Sequence, residues 1–194
     1  MRSSLPVLLS VLTFMSFAMP AAADGSAGLA AYQRGDFATA FQEFLPLAEG
    51  GQAAAQAAIG QMYLKGEGVP ADPGQAALWL EKAANGGNAR ARFQIGNMYA
   101  AGIGVPVDEM KASYYLLKAA NQNMAEAQLS MAQRFYHGQG VPKDLVQSFL
   151  YAALSAKQGN QDGLAIAQTI GESLTPADQT RAQALVESWQ PSAN

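Results

Sequence analysis

A 36-residue period in the middle of the chain constrains the fold more than any other feature of the sequence. The string Gly68-Val69-Pro70 recurs as Gly104-Val105-Pro106 and as Gly140-Val141-Pro142, and the 36-residue units align without insertions or deletions. A period of this length is typical of helix hairpins that stack side by side, because one hairpin alone cannot bury its apolar faces. The period therefore predicts an all-α solenoid.

The same register aligns further positions that we expect to be structural. They comprise small residues in the first helix of each unit, aromatic residues in both helices, connector glycines and an Asp after each connector. In chain order they are Gly60, Tyr63, Gly66, Gly68, Asp72 and Trp79; Gly96, Tyr99, Gly102, Gly104, Asp108 and Tyr115; and Phe135, Gly138, Gly140, Asp144 and Tyr151. Their helical spacing favours a role of the aromatic side chains in the core, between layers, over a sugar-binding or stacking ladder on the surface.

The residue pattern of each unit predicts two helices joined by a short connector. The first helix lies near 53–65 and ends at Gly66, where a left-handed residue is needed. Asp72 is predicted to cap the second helix, with Pro73 at its first position and Gln75 completing a capping box. The second helix runs to about residue 86, and Gly87 then ends it. Ala83 and Ala84 are expected to be close-contact points between helices.

Both ends of the repeat array are degenerate, as expected of solenoid caps. A partial repeat covers 26–52, with a helix at 37–49 that Pro46 is expected to kink. Full repeats follow at 53–88, 89–124 and 125–160, which we number repeats 1 to 3. The segment 161–190 is predicted to form a C-terminal cap with one helix near 162–171 and a last helix that Thr175 opens. The partial repeat, the three full repeats and the cap are therefore expected to form about four to five helix hairpins.

The N-terminus carries the pattern of a secretory signal peptide over residues 1–23. Arg2 precedes an apolar run from 5 to 19, and the small residues 21–23 resemble a cleavage site. The run has about 15 residues, fewer than the roughly 20 that a membrane-spanning helix needs. We expect cleavage near Ala23-Asp24 and a periplasmic or secreted protein. The alternative is an uncleaved segment that tethers a complex-stabilising protein to the membrane.

Composition excludes several kinds of chemistry. The chain has no cysteine and a single histidine, His137, which argues against disulfides, thiolate metal sites and most acid–base clusters. The net charge is −3 and no Lys/Arg cluster is present, so a nucleic-acid partner is not expected. The string Gly66-x-Gly68-x-x-Ala71 follows a predicted helix and contains Pro70, which is unlike a dinucleotide fingerprint. We expect no cofactor, no metal and no enzymatic activity.

The candidate partner-binding residues are those of the first helices that vary between units. They are Gln61, Lys65, Arg92, Gln94, Asn97, Gln133 and His137. By analogy with related solenoids this row lines a concave groove, and its amides suit an extended peptide backbone; the alternative is a merely solvated surface. Arg92 is expected either to meet a carboxylate or to pack its stem on the stack.

The repeat units resemble the Sel1-like repeat family. The likeness rests on Ile59-Gly60-Gln61-Met62-Tyr63, on its copy Ile95-Gly96-Asn97-Met98-Tyr99 and on Lys82-Ala83-Ala84. It implies a right-handed α/α superhelix related to tetratricopeptide repeats, often exported in bacteria and used as a scaffold for protein complexes. It implies no catalytic residue. The expected function is thus an exported adaptor that binds a protein or peptide. An enzyme acting on a cell-envelope polymer, with His137 as general base, is the alternative from another class.

Overall fold

Ten α-helices lie within residues 25–192, the part of the chain that the computed structural model describes. Their bounds are α1 Ser26–Gln33, α2 Phe37–Glu49, α3 Ala53–Lys65, α4 Pro73–Asn85, α5 Ala89–Ala101, α6 Glu109–Asn121, α7 Ala125–His137, α8 Leu145–Lys157, α9 Gln161–Ser173 and α10 Pro176–Ser188. Each helix from α1 to α8 packs against the next one in the chain. The all-α solenoid predicted from the period is confirmed. The predicted signal peptide lies outside the described residues.

The helix ends follow the local signals in the sequence. Gly66, Gly102 and Gly138 end the first helices with φ of 72°, 69° and 74°. The carboxylate of Asp72 accepts hydrogen bonds from the N–H groups of Gly74 and Gln75 at 2.9 and 3.0 Å. Asp144 caps α8 in the same way, and Asp108 caps α6 with one such bond, from the N–H of Lys111 at 2.9 Å.

The capping box predicted for α4 forms only in part. The backbone N–H of Gln75 donates to the Asp72 side chain. The N–H of Asp72, however, donates to the carbonyl of Tyr63 at 3.0 Å and not to the Gln75 side chain. The connector thus returns to the end of the first helix, and this contact replaces the second half of the box.

Small residues let the two helices of each hairpin approach closely. A Cβ on Gly60 would lie 2.7 Å from Cγ of Leu80, and one on Gly96 would lie 2.8 Å from Cγ of Leu116. Real Cβ contacts are not this short, so a larger residue here would push the helices apart. Ala83 and Ala84 are 0% and 1% exposed, as expected of close-contact positions.

The aromatic residues pair within hairpins more than between them. Tyr99 stacks on Tyr115 with centroids 6.1 Å apart, and Phe135 stacks on Tyr151 at 5.8 Å. In each pair one ring comes from the first helix and one from the second helix of the same repeat. Tyr63 instead meets Phe41 of the preceding unit edge to face at 5.5 Å. Tyr99, Tyr115 and Tyr151 are buried, which fits a core role.

The C-terminal cap departs from the hairpin pattern. Helix α10 does not pair closely with α9; its backbone lies against α8. Gln168 occupies the position that Gly60, Gly96 and Ala132 hold in the repeats, and its side chain is exposed. Leu80 and Leu116 leave no room for a Cβ at Gly60 and Gly96, and repeat 3 combines Ala132 with the smaller Ala152 at the position of those leucines. Glutamine is larger than either small residue, so this side of α9 is less suited to close helix packing.

Helix α2 contains Pro46 and continues to Glu49, so the helix predicted at 37–49 is confirmed. Whether it bends at Pro46 remains a prediction. Within residues 25–192, no helix combines the length and the apolar character that crossing a bilayer requires.

Candidate functional site

The predicted binding row lies on the first helices α3, α5 and α7, and we call this surface the first-helix face. Gln61 and Gln94 come together there, because Nε2 of Gln94 donates a hydrogen bond to Oε1 of Gln61. This bond uses one polar group of each amide and leaves each with a second one for a ligand. Neighbouring repeats are therefore joined side chain to side chain along the predicted row.

A pocket of about 300 Å³ opens at the C-terminal end of the first-helix face, between α7 and α9. Two predicted residues, Gln133 and His137, line it together with Thr169. Thr169 lies 36 residues after Gln133, so it continues the amide position into the cap. The apolar part of the lining comes from Ile166 and Ile170. The pocket is thus apolar and carries amide, hydroxyl and imidazole groups, a combination typical of ligand sites.

Tyr136 adds an aromatic wall to this pocket. Its ring is 39% exposed and meets the His137 ring edge to face at 5.0 Å. Nζ of Lys143 lies over the same ring, 5.4 Å from its centroid. Tyr136 was not predicted as a site residue, because its repeat equivalents Leu64 and Ala100 suggest a simple packing position.

Lys65 and Asn97, two further predicted residues, do not join this pocket. Nζ of Lys65 donates to the hydroxyl of Tyr32 at 3.3 Å and lies 3.5 Å from the Glu67 carboxylate. The hydrogen bond to Tyr32 raises the pKa of Lys65. Lys65 therefore links repeat 1 to α1. Asn97 is exposed between the Gln61–Gln94 pair and the pocket.

Arg92 was predicted as a partner-binding residue, and the structure favours the alternative reading of a side chain that packs on the stack. Its Nε donates to the carbonyl of Ala84, at the end of the preceding second helix, at 3.0 Å. Gln56 and Gln128 hold the same repeat position and bond in the same way, to Ala48 at 3.0 Å and to Ala120 at 3.2 Å. We call Gln56, Arg92 and Gln128 the staple residues. The position joins successive units, so Arg92 leaves the candidate site.

Sequence reasoning also missed a buried arginine between repeats 2 and 3. Arg134 is 6% exposed and occupies the position of Met62 and Met98. Its two terminal nitrogens donate to Oε2 of Glu109 at 2.7 and 2.8 Å, and one also reaches the Gln139 carbonyl at 3.2 Å. The sequence signal that could have revealed this contact is an arginine at a repeat position that holds methionine in the other two repeats.

Tyrosine hydroxyls make further contacts between repeats. Tyr99 and Tyr115 both donate to Oε1 of Glu81, at 3.2 and 2.9 Å. Burial and, after it, the hydrogen bond with Glu81 raise the pKa of Tyr115. Tyr151 donates to Oδ1 of Asn121 at 2.8 Å, and burial raises its pKa to about 12. Both are neutral donors at physiological pH, consistent with a structural role.

A larger depression of about 750 Å³ lies where α10 stands away from α9. It is lined by Phe149, Ala153, Ala156, Lys157, Leu164, Ala167, Gln168, Gly171, Glu172, Gln179 and Gln183. None of the predicted site residues lies there. In the described range 25–192, no three His, Asp or Glu side chains are grouped as a metal site would need.

Comparison with known proteins agrees with the repeat architecture. The family model for the Sel1 repeat matches residues 53–88, 89–124 and 125–160, which are the three repeats found from the period. A comparison with the curated proteins found no significant match.

Two solved structures are similar to this chain. One is c5321, a protective antigen of uropathogenic Escherichia coli strains with an SLR fold: 30% identity and a TM-score of 0.69 over 78% of this chain. The other is a Sel1 repeat protein from Oxalobacter formigenes: 28% identity and a TM-score of 0.70 over 80% of this chain. The matches cover 32% of the first protein and 65% of the second, so both relatives are longer.

Sel1 repeat proteins generally serve as scaffolds for protein–protein interaction. With three contiguous family matches on three stacked hairpins, the chain belongs to the Sel1 repeat family.

Proposed function

We propose that this protein is an exported scaffold that binds an extended peptide segment of a partner protein along the first-helix face. The observation that carries the proposal is the pocket between α7 and α9. It combines an apolar lining from Ile166 and Ile170 with the polar side chains of Gln133, His137 and Thr169.

This lining suits a peptide better than a small polar metabolite. An apolar side chain of the peptide would enter the pocket and displace water from the two isoleucines. Amide and hydroxyl groups beside it would satisfy the N–H and C=O groups of the peptide backbone, which must stay hydrogen-bonded when they leave water. Gln61 and Gln94 offer the same chemistry further along the face.

Binding is tested by placing charge on the face. We expect a variant with Gln61→Glu, Asn97→Glu and Gln133→Glu to lose at least tenfold in the amount of partner captured from the periplasmic fraction of the source bacterium. A carboxylate cannot donate to a peptide carbonyl, and burying it is costly. The partner segment is identified by photocrosslinking from residue 169 and mass spectrometry.

The matched control carries the same charge change away from the face. Gln42, Gln75 and Gln147 lie on second helices, and their joint change to Glu should leave capture unaltered. Equal capture by wild type and by the first-helix variant would show that binding occurs elsewhere.

Export rests on the signal pattern over residues 1–23 and is tested by intact mass. We expect protein recovered from the native host to begin at Asp24 and to appear in the periplasmic or extracellular fraction. A full-length mass in the membrane fraction would favour the tethered alternative.

A further inference from the structure

Repeat 2 exposes four large apolar side chains on one side of the solenoid. Ile103 is 47% exposed, Val107 62%, Met110 74% and Tyr114 53%. We call these four residues the repeat-2 patch. They lie on α6 and on the connector before it, away from the first-helix face.

The other repeats show that the fold does not require these residues. The equivalents of Ile103, Val107 and Met110 in repeat 1 are Glu67, Ala71 and Gly74, and the equivalents of the first two in repeat 3 are Gln139 and Lys143. Repeat 1 thus forms the same hairpin without a large apolar group at the first three positions, and repeat 3 without one at the first two. Only the position of Tyr114 is large and apolar in all three repeats, with Leu78 and Leu150 as its equivalents. Large apolar side chains that water contacts and the fold does not need indicate a binding surface.

The four side chains form a strip along the connector and the first two turns of α6. Met110 and Tyr114 are one turn apart on α6 and share one side of the helix, and Val107 lies in the connector just before the N-cap Asp108. The Cγ2 atom of Val107 lies against Gly102, which places Val107 beside the Ile103 connector. Nζ of Lys118 stands over the Tyr114 ring, 5.1 Å from its centroid.

In repeat 3 the same side of the second helix is covered by a helix. Val146 and Leu150, the equivalents of Met110 and Tyr114, are 6% and 5% exposed, and Leu154 is 5% exposed. They belong to clusters that α10 completes. The residues of α10 and its end in those clusters are Ala182, Leu185, Val186 and Trp189. This surface of the hairpin is therefore able to bind an amphipathic helix.

The interface of α10 also continues toward repeat 2. After Trp189 the chain leaves α8, and the N–H of Ser192 donates to the carbonyl of Asn121, the last residue of α6, at 2.8 Å. The C-terminal segment thus reaches the end of α6, about two helical turns beyond Tyr114.

We propose that the repeat-2 patch docks an amphipathic helix of a partner protein in the way that α8 docks α10. The helix would carry a small residue, a Leu, a Val and an aromatic residue at the spacing of 182, 185, 186 and 189. Acidic residues along its edge would face Lys111 and Lys118, which are exposed on α6.

A helix fits this strip better than a second copy of the chain does. A stable dimer buries about 800 Å² on each partner, far more than four side chains offer. One helix presents a narrow apolar stripe of a few residues, which matches the strip in width. The proposal does not depend on peptide binding at the first-helix face, because the two surfaces share no residue.

Methyl NMR of methionine tests the proposal. The protein is residues 24–194 with ¹³C-methyl methionine, and the probe is a synthetic peptide of the chain's own residues 175–190. We expect a saturable shift of the Met110 methyl signal at sub-millimolar peptide, with no shift of Met98 or Met131, which are buried. A peptide with Leu185→Ser, Val186→Ser and Trp189→Ser should have no effect.

Two variants locate the contact. Tyr114→Ser should weaken the peptide affinity at least fivefold, whereas Leu78→Ser, the equivalent change on α4, should leave it unchanged. A Met110 signal that ignores the peptide overturns the proposal, as does a shift confined to Met124, which packs on the α8 cluster and would report displacement of α10. A Met110 shift that depends on protein concentration without peptide would identify a second copy as the occupant and equally overturn it.

Discussion

Single residues decide how closely the repeats stack. The second glycine of each connector lies against the first residue of the preceding second helix. A Cβ on Gly68, Gly104 or Gly140 would lie 2.3, 2.1 or 1.9 Å from the carbonyl oxygens of Phe37, Pro73 or Glu109 respectively. These partners are themselves 36 residues apart. Glycine therefore recurs because two backbones meet here, in addition to its freedom to adopt positive φ.

Comparing Gly104→Ala with Gly159→Ala separates the two reasons. Both glycines have positive φ, 70° and 91°, but nothing lies within 4 Å of a Cβ on Gly159. We expect Gly159→Ala to cost about 1 kcal/mol of unfolding free energy from backbone strain, and Gly104→Ala about 2–4 kcal/mol because the clash adds to it. Urea unfolding followed by circular dichroism gives both values. Equal losses would mean that the connector moves away without cost.

At the scale of helices, the staple residues explain how one hairpin is fastened to the next. Gln56, Arg92 and Gln128 each donate to a carbonyl at the end of the preceding second helix. Each of those carbonyls also accepts a backbone N–H from the turn after its helix, at 3.0 to 3.1 Å, so the staple adds a second hydrogen bond that ties the next unit to it. The position thus alternates between Gln and Arg without losing its role, since both provide an N–H donor on a long stem.

Replacing Gln128 with Leu removes the staple between repeats 2 and 3. Gln128 is fully buried; its Nε2 donates to Ala120, and its Oε1 accepts from Gln158 at 2.7 Å. We expect Gln128→Leu to lower the unfolding free energy by about 1–3 kcal/mol, because it removes the buried hydrogen bonds to Ala120 and from Gln158. Gln133→Leu, on the exposed side of the same helix, should change it by less than about 0.5 kcal/mol. Indistinguishable urea midpoints would show that the staple contributes nothing.

At the scale of the whole molecule, α10 closes the array by covering α8 rather than by completing a fifth hairpin. Ala182 is fully buried at this contact, and Leu185, Val186 and Trp189 pack on the clusters around α8. In repeat 2 the corresponding side of α6 stays open. The same repeat surface therefore serves as a closed end in one unit and as the proposed docking strip in another.

Ala182→Asp should detach α10, because a carboxylate would be buried without a partner. We expect the free energy that holds α10 on α8 to fall by about 3 kcal/mol or more. In a Trp79→Phe background the Trp189 emission should shift to the red. Ala184→Asp, on the exposed side of α10, is the matched control and should leave the emission unchanged. Unaltered Trp189 emission in Ala182→Asp would show that α10 does not depend on this contact.

The period, the helix bounds and the caps could be predicted from the sequence alone, since they depend on interactions between residues at most a few positions apart. Gly66 and Asp72 act through their own backbone and the first turn of a helix, and α3 and α4 begin and end where these signals place them. Gln133 and His137 were predicted as binding residues because repeat positions that vary while their neighbours stay constant are free to face outward, and their role in binding stays a prediction. Their pairing with Thr169 over a pocket was not predictable, since it depends on how α7 and α9 lie together.

Tertiary structure alone decided the contacts between units. For Arg92 the sequence left open a partner carboxylate or packing on the stack, because nothing in its own helix shows that the Ala84 carbonyl, eight residues earlier, lies within its reach. The docking of α10 on α8 rather than on α9 likewise depends on which helix faces meet, and one local difference in α9 is a glutamine at position 168 where the repeats have Gly or Ala. Local signals set where each helix begins and ends, but the choice of neighbours is made by side-chain volume and unsatisfied polar groups at surfaces that meet only after folding.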